Sequence, residues 1–172
     1  MANDLRLPKQ LGDFGEQLVM FIFGRMYEYR VACVDHIGAD LIATDCKNKK
    51  YAISVKSRVI PQKEGKAQSY DFDNQKKLRD FANSFDLVPA VAFVFIEPIS
   101  LVSDFNIDVY IIELDKLKEF AENPDNGLGI SIGKNGDYIF NNHPNHQKQI
   151  QNNEFIRFQR LVVRADTSKK AF

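Results

Sequence analysis

Residues 87–96 read "LVPAVAFVFI", ten residues without a charged or polar side chain. Successive side chains of a strand point to opposite faces, so a run of this kind needs apolar cover on both sides. Its length and its Val, Ile and Phe content favour an extended conformation over a helix. The run therefore calls for a strand in the middle of a sheet with a layer on each face, as in an α/β domain. The chain has 172 residues, enough for one domain with such a core. Nowhere does an apolar stretch reach membrane-spanning length, and "MANDLRLPKQ" lacks the apolar segment of a secretory signal.

The other elements follow from periodicity. Phe14, Leu18, Val19, Phe21, Ile22 and Met26 predict a helix over 12–26. "YEYRVACVD" (27–35) predicts a strand, and 39–45 and 50–58 predict two more, joined by "CKNK". "PQKEGKAQSY" (61–70) reads as a surface loop. A helix is expected over 72–86, with Phe72, Leu78, Phe81, Ala82 and Phe85 on its buried side. Residues 108–114 predict a strand, followed by a short helix capped by Asp115. "ISIGKNGDYIF" predicts a hairpin around Asn135-Gly136, and 147–160 a last helix anchored by Ile150, Phe155 and Phe158. No repeat or linker divides the chain, so residues 1–172 are expected to form a single domain. Its core would span about 12–114 and a C-terminal extension about 115–172.

Charge is segregated although the formal net charge is zero. Residues 45–79 hold ten Lys or Arg against four acids, 97–125 eight acids against two Lys, and 147–172 six basic residues against two acids. This implies a basic and an acidic face; the basic one suits a polyanion, or simply solvates loops. Cys33 and Cys46 make no disulfide framework and no CxxC motif, so free thiols in a reducing cytoplasm are expected.

The segment "GADLIATDCKNKKYAISVKSR" (38–58) carries the polar residues that matter most. A turn centred near Asn48 would pair position 40 with about 56 and 42 with about 54. Leu41, Ala43, Ile53 and Val55 then share one apolar face, while Asp40, Ser54 and Lys56 gather on the other. An Asp and a Lys brought together in this way form either a cross-strand ion pair or a site for a hard divalent cation and a phosphate.

The helix stretch "GEQLV" with Glu16, "GADLIA" with Asp40 and "ISVKSR" with Ser54 and Lys56 together resemble the PD-(D/E)XK nuclease superfamily, in particular Holliday-junction resolvases and small restriction-type endonucleases. The resemblance covers roughly residues 12–97 and extends to "FDNQKKLRDFA…LVPAVAFVFI". It implies a restriction-endonuclease-like α/β fold: a core of helix, three-stranded meander, helix and strand, with a mixed central sheet. The C-terminal hairpin and helix expected from the residues lie outside the resemblance and are added to that core. One position departs from the pattern. The superfamily usually has Glu, Asp or Gln two residues before the Lys, where this chain has Ser54, a poorer ligand for Mg²⁺.

The resemblance implies a metal-dependent endonuclease acting on DNA. Glu16 and Asp40, with the Val55 carbonyl, would hold Mg²⁺ or Mn²⁺; Glu16, Asp40, Ser54 and Lys56 would form the catalytic set, with Lys56 assisting the attacking water. Arg58, Lys63 and Lys66 would grip the DNA backbone. With Ser54 neutral, it could act through a water, a carboxylate such as Asp35, Asp71 or Asp73 could replace it, or the site could be inactive. The alternative is a catalytically inactive nucleic-acid-binding or protein-interaction module on the same fold. A third reading makes Asp40–Lys56 a structural pair, with the acidic segment 97–125 serving a protein partner. A homodimer is compatible with any double-strand cleavage. Without the resemblance, Glu16 reads as an acid favoured by the helix dipole. His143 and His146, separated by Pro144, read as loop residues, and the glycines of "GLGISIG" as turn residues.

Overall fold

The apolar run lies where its composition requires. In the computed structural model, which describes residues 6–59, 68–70, 72–98, 105–117, 128–130 and 157–163, it forms β5 (Val88–Pro98) inside a six-stranded sheet. The chain runs α1 (Arg6–Phe21), a π-helical turn (Ile22–Met26), β1 (Arg30–His36), β2 (Ala39–Thr44), β3 (Lys50–Val59), β4 (Gln68–Tyr70), α2 (Phe72–Ser84), β5, β6 (Phe105–Glu113), α3 (Leu114–Leu117), β7 (Leu128–Ile130) and β8 (Arg157–Val163). The large sheet has the order β1-β2-β3-β5-β6-β8. Only β3 and β5 are parallel. They are the neighbours joined through a helix, and a parallel pair requires such a crossover. The other pairs of this sheet are antiparallel. The expected core of helix, three-stranded meander, helix and strand in a mixed sheet is present.

Each face of the sheet has its own apolar layer. Val19, Ile22 and Phe23 cover Leu41, Ala43, Ile53, Val55, Ala90, Ala92 and Val94 on one side. Leu78, Phe81 and Ala82 of α2 cover Ala52, Val91, Phe93, Phe95, Tyr110 and Ile112 on the other. The alternation of β3 and β5 thus feeds two layers at once. Gly38 lets the β1–β2 turn fit beneath α2. Its φ is +108°, and a Cβ there would lie 2.5 Å from the Lys77 carbonyl oxygen.

Several expectations need correction. The first helix starts at Arg6, not residue 12; Pro8 is tolerated because it falls in the first turn, where its missing N–H has no partner to lose. The first strand starts at Arg30, not residue 27. Residues 27–29 reverse the chain instead: Glu28 has φ +58° and the Tyr29 N–H bonds the Phe23 carbonyl at 2.9 Å.

The β2–β3 register differs by two residues from that expected. Leu41 faces Ile53 and Ala43 faces Tyr51, so the turn is centred on Lys47. Asp45 sets this. Its Oδ1 accepts the N–H groups of Lys47 and Lys49 at 2.9 and 2.8 Å, its N–H bonds the Lys49 carbonyl, and Asn48 takes φ +64°. An even shift preserves which side chains share a face.

Asp115 lies inside α3 rather than capping it, and its exposed carboxylate meets Arg79 at 2.8 Å. Phe85 follows the end of α2 and is exposed, resting on Phe81. Gln68–Tyr70, expected in a loop, pairs with β7, which includes Gly129, expected in a turn. Residues 157–160, expected at the end of a helix, belong to β8, where they satisfy the backbone groups along the open edge of β6. The rest of that expected helix, the Asn135-Gly136 turn, His143 and His146 lie outside the described residues. Among the described residues, no helix is long and apolar enough to cross a membrane, and both cysteines are free.

Candidate functional site

The β2–β3 ladder ends at Leu41–Ile53. Two residues further along β3, the Val55 N–H donates to Asp40 Oδ2 at 2.6 Å, and the Ser54 hydroxyl donates to the same oxygen at 3.3 Å. A side-chain carboxylate thus takes a backbone donor at the point where the strands part. Both bonds fall on Oδ2; Oδ1 accepts none among the described residues.

Ser54 is 4% exposed, whereas Asp40 and Lys56 are half-buried. By strand alternation Ser54 and Lys56 share the sheet face covered by α2. Glu16 comes from α1, which packs on the opposite layer, and it is half-buried. It nevertheless senses the same centre. Burial pushes its carboxyl up from the ordinary glutamate range, the Asp40 charge pushes it further, Asp13 adds to this, and Lys56 pulls the other way. The four sequence-predicted residues therefore come from α1, β2 and β3. Asp40 and Ser54 are hydrogen-bonded, and Glu16 is electrostatically coupled to Asp40 and Lys56.

The donor set suits a small hard cation in a limited way. Asp40 offers an oxygen without a hydrogen bond, and Glu16 carries like-charge repulsion from Asp40 that a cation would relieve. Mg²⁺ needs only one or two carboxylates when waters and a phosphate complete its octahedron. Among the described residues, no cluster of three or more His, Cys, Asp or Glu could hold an ion unaided. Ser54 is one reason, since its hydroxyl is neutral and already donates to Asp40.

Of the remaining candidates, Val55 meets the site through its N–H, as described. Arg58 is exposed at the outer end of β3, two residues beyond Lys56. Asp73 is exposed in the first turn of α2. Lys63, Lys66, Asp71 and the Asp35 side chain lie outside the described residues. Gly15 and Ser57, which flank Glu16 and Lys56, and Gln75, buried one helical turn before Leu78, are not among the residues expected at the site. The signal for the first pair was a glycine in mid-helix beside an acid.

No family profile matches the chain. No curated protein matches it by sequence either. A solved structure similar to it is Archaeoglobus fulgidus Hjc, a Holliday junction resolvase from an archaeal hyperthermophile: 16% identity, 70% of this chain and 83% of that chain covered, TM-score 0.48.

Proposed function

We propose that the chain is a metal-dependent endonuclease hydrolysing phosphodiester bonds of DNA. The observation that supports this is the hydrogen-bonded Asp40–Ser54 pair at the end of the β2–β3 ladder, coupled to Glu16 and followed two residues on by Lys56. The same four positions carry the PD-(D/E)XK resemblance. In this reading Asp40 and Glu16 hold Mg²⁺ or Mn²⁺, with the Val55 carbonyl as a further ligand. When bound, the ion supplies a Lewis acid for the scissile phosphate and lowers the pKa of a coordinated water.

The chain's own residues do the rest. The Val55 N–H and Ser54 hydroxyl fix one oxygen of Asp40, which leaves the other directed by that anchoring. Lys56 brings a positive charge to the phosphate, or orients the attacking water. Arg58, Lys63 and Lys66 contact the DNA backbone and make binding fall with salt. A homodimer would provide two such sites for a two-strand substrate, and a cytoplasmic setting suits the free thiols.

A second reading has its own support. Ser54 stands where a third ligand would, neutral and already donating to Asp40, which suits a module that binds nucleic acid without cutting it.

Incubation with supercoiled plasmid and with branched DNA, plus Mg²⁺ or Mn²⁺, separates the two. Cleavage by the wild type that is lost in folded Asp40→Ala and Lys56→Ala supports the enzyme. Retardation of DNA without cleavage supports the binding module. A result with no cleavage and no retardation sinks both.

A further inference from the structure

Glu16 can sense a site built on β2 and β3 because α1 lies close against β3. A Cβ added to Gly15 would fall 1.8 Å from Ser57 Oγ, 3.1 Å from Ser57 Cβ and 3.5 Å from Val55 Cγ1. A side chain there would force Ser57 Oγ to turn away and would still press on Ser57 Cβ, so the helix backbone lies close against the strand. The Ser57 hydroxyl is buried and has no hydrogen-bond partner among the described residues. A buried hydroxyl in that state costs stability. It fills the space over Gly15 that a side chain would otherwise occupy. Gly15 directly precedes Glu16, and Ser57 directly follows Lys56. The tight contact between helix and strand is therefore one residue away from each of two charged groups of the candidate site.

We propose that Gly15 and Ser57 are positioning residues whose contact sets the height of α1 over β3 and thereby holds Glu16 at the site of Asp40 and Lys56. The inference rests on the reading of Glu16 as a metal-holding group. It goes beyond that reading by assigning the geometry of Glu16 to two residues that touch neither metal nor DNA. In an ordinary helix interior, Gly→Ala is stabilising. Here the added methyl group would lift α1 and withdraw Glu16.

The test is a cycle. Gly15→Ala should lower Mn²⁺ affinity, read by calorimetry, by about tenfold or more, the range seen when support for a metal ligand is lost; cleavage should fall with it. Gly15→Ala/Ser57→Gly deletes both close atoms and leaves Val55 Cγ1 at an ordinary 3.5 Å. It should recover the affinity even though Gly within a strand lowers the melting temperature. A purely structural role would make affinity follow melting temperature instead. Wild-type affinity in folded Gly15→Ala, or no recovery in the folded double variant, overturns the proposal. If Gly15→Ala folds too poorly to assay, Ser57→Thr enlarges the same contact from the strand side and carries the same expectation. If the wild type binds no Mn²⁺, the metal reading has failed. The seat is then judged by crystal structures of wild type, Gly15→Ala and the double variant. A Glu16–Asp40 separation that lengthens and returns upholds it, and an unmoved Glu16 overturns it.

Discussion

The Asp40 carboxylate accepts the Val55 backbone N–H at 2.6 Å, just beyond the last paired residues of β2 and β3. A bond from a backbone donor to a charged acceptor is short and strong. It does two things here. It satisfies a donor that would otherwise lack a partner where the strands separate, and it holds one carboxylate oxygen in a set direction.

Removing that acceptor should therefore cost stability as well as chemistry. Asp40→Ala strands the Val55 N–H and the Ser54 hydroxyl, with an expected loss of about 1–3 kcal/mol in urea unfolding. Asp40→Asn keeps an acceptor and should lose less, while cleavage and Mn²⁺ binding fail in both. Equal stability of Asp40→Ala and wild type would show that this hydrogen bond is absent in solution.

Glu16 should trade stability for function. Its folded-state pKa is raised, chiefly by burial and then by Asp40. The folded protein therefore holds the Glu16 proton more tightly than the unfolded chain. Glu16 is harmless to stability below the ordinary glutamate value of about 4.3. Its contribution becomes unfavourable as pH rises through the window up to the folded pKa, and stays so at neutral pH. Glu16→Gln should accordingly melt higher than wild type at pH 7, with the gain vanishing under acid conditions, and Mn²⁺ should raise the melting temperature of the wild type only. A lower melting temperature for the variant at pH 7 would contradict the sign.

Ser54→Glu should tighten Mn²⁺ binding, because it adds a carboxylate beside Asp40 in a nearly buried position. Without metal the two acids repel, so the variant should be less stable than wild type and regain stability as Mn²⁺ is added. Calorimetry showing no gain in affinity would mean that position 54 does not face the ion.

Gly38→Ala should destabilise the fold by about 1–3 kcal/mol, the scale of a strained backbone. Its φ of +108° disfavours any side chain, and the new Cβ would strike the Lys77 carbonyl. The loss should appear in urea unfolding, because the turn before Asp40 and the seat of α2 are disturbed together.

Lys49 Nζ meets Glu113 at 2.6 Å and lies over the Tyr51 ring, joining the β2–β3 turn to the end of β6. The lysine is 43% exposed, so a double-mutant cycle with Lys49→Met and Glu113→Gln should give a coupling of only about 0.2–1 kcal/mol. The hydrogen bond to Glu113 raises the Lys49 pKa. Its share is therefore fully present below the ordinary lysine value of about 10.4 and lost as pH rises past the folded pKa. A coupling unchanged well above that pH would rule out the ion pair as its source.

The central strand was legible because ten apolar residues in a row leave no other economical placement, and β5 lies inside the sheet as expected. The helix over Leu78, Phe81 and Ala82 was legible from its spacing. Phe85 was not, because its exposure depends on where the helix stops. The end of the chain was read as helix from the anchors Ile150, Phe155 and Phe158. Residues 157–160 are strand because β6 offers an unpaired edge, which no local pattern announces. At the site, Asp40 and Ser54 were expected on one face and are hydrogen-bonded to each other. The nearness of Glu16 could be suggested only by resemblance, since α1 and β3 are far apart along the chain.

Which side chains of β2 and β3 share a face follows from sequence alone. Alternation along a strand is local covalent geometry, and it survives a two-residue change of register. The register itself needed the Asp45 hydrogen bonds that shape the turn. The close approach of α1 to β3 needed the contact of Gly15 with Ser57. The fate of residues 157–163 needed a neighbouring strand edge. These last two were decided by tertiary structure because each depends on a contact between segments whose separation along the chain says nothing about their separation in space.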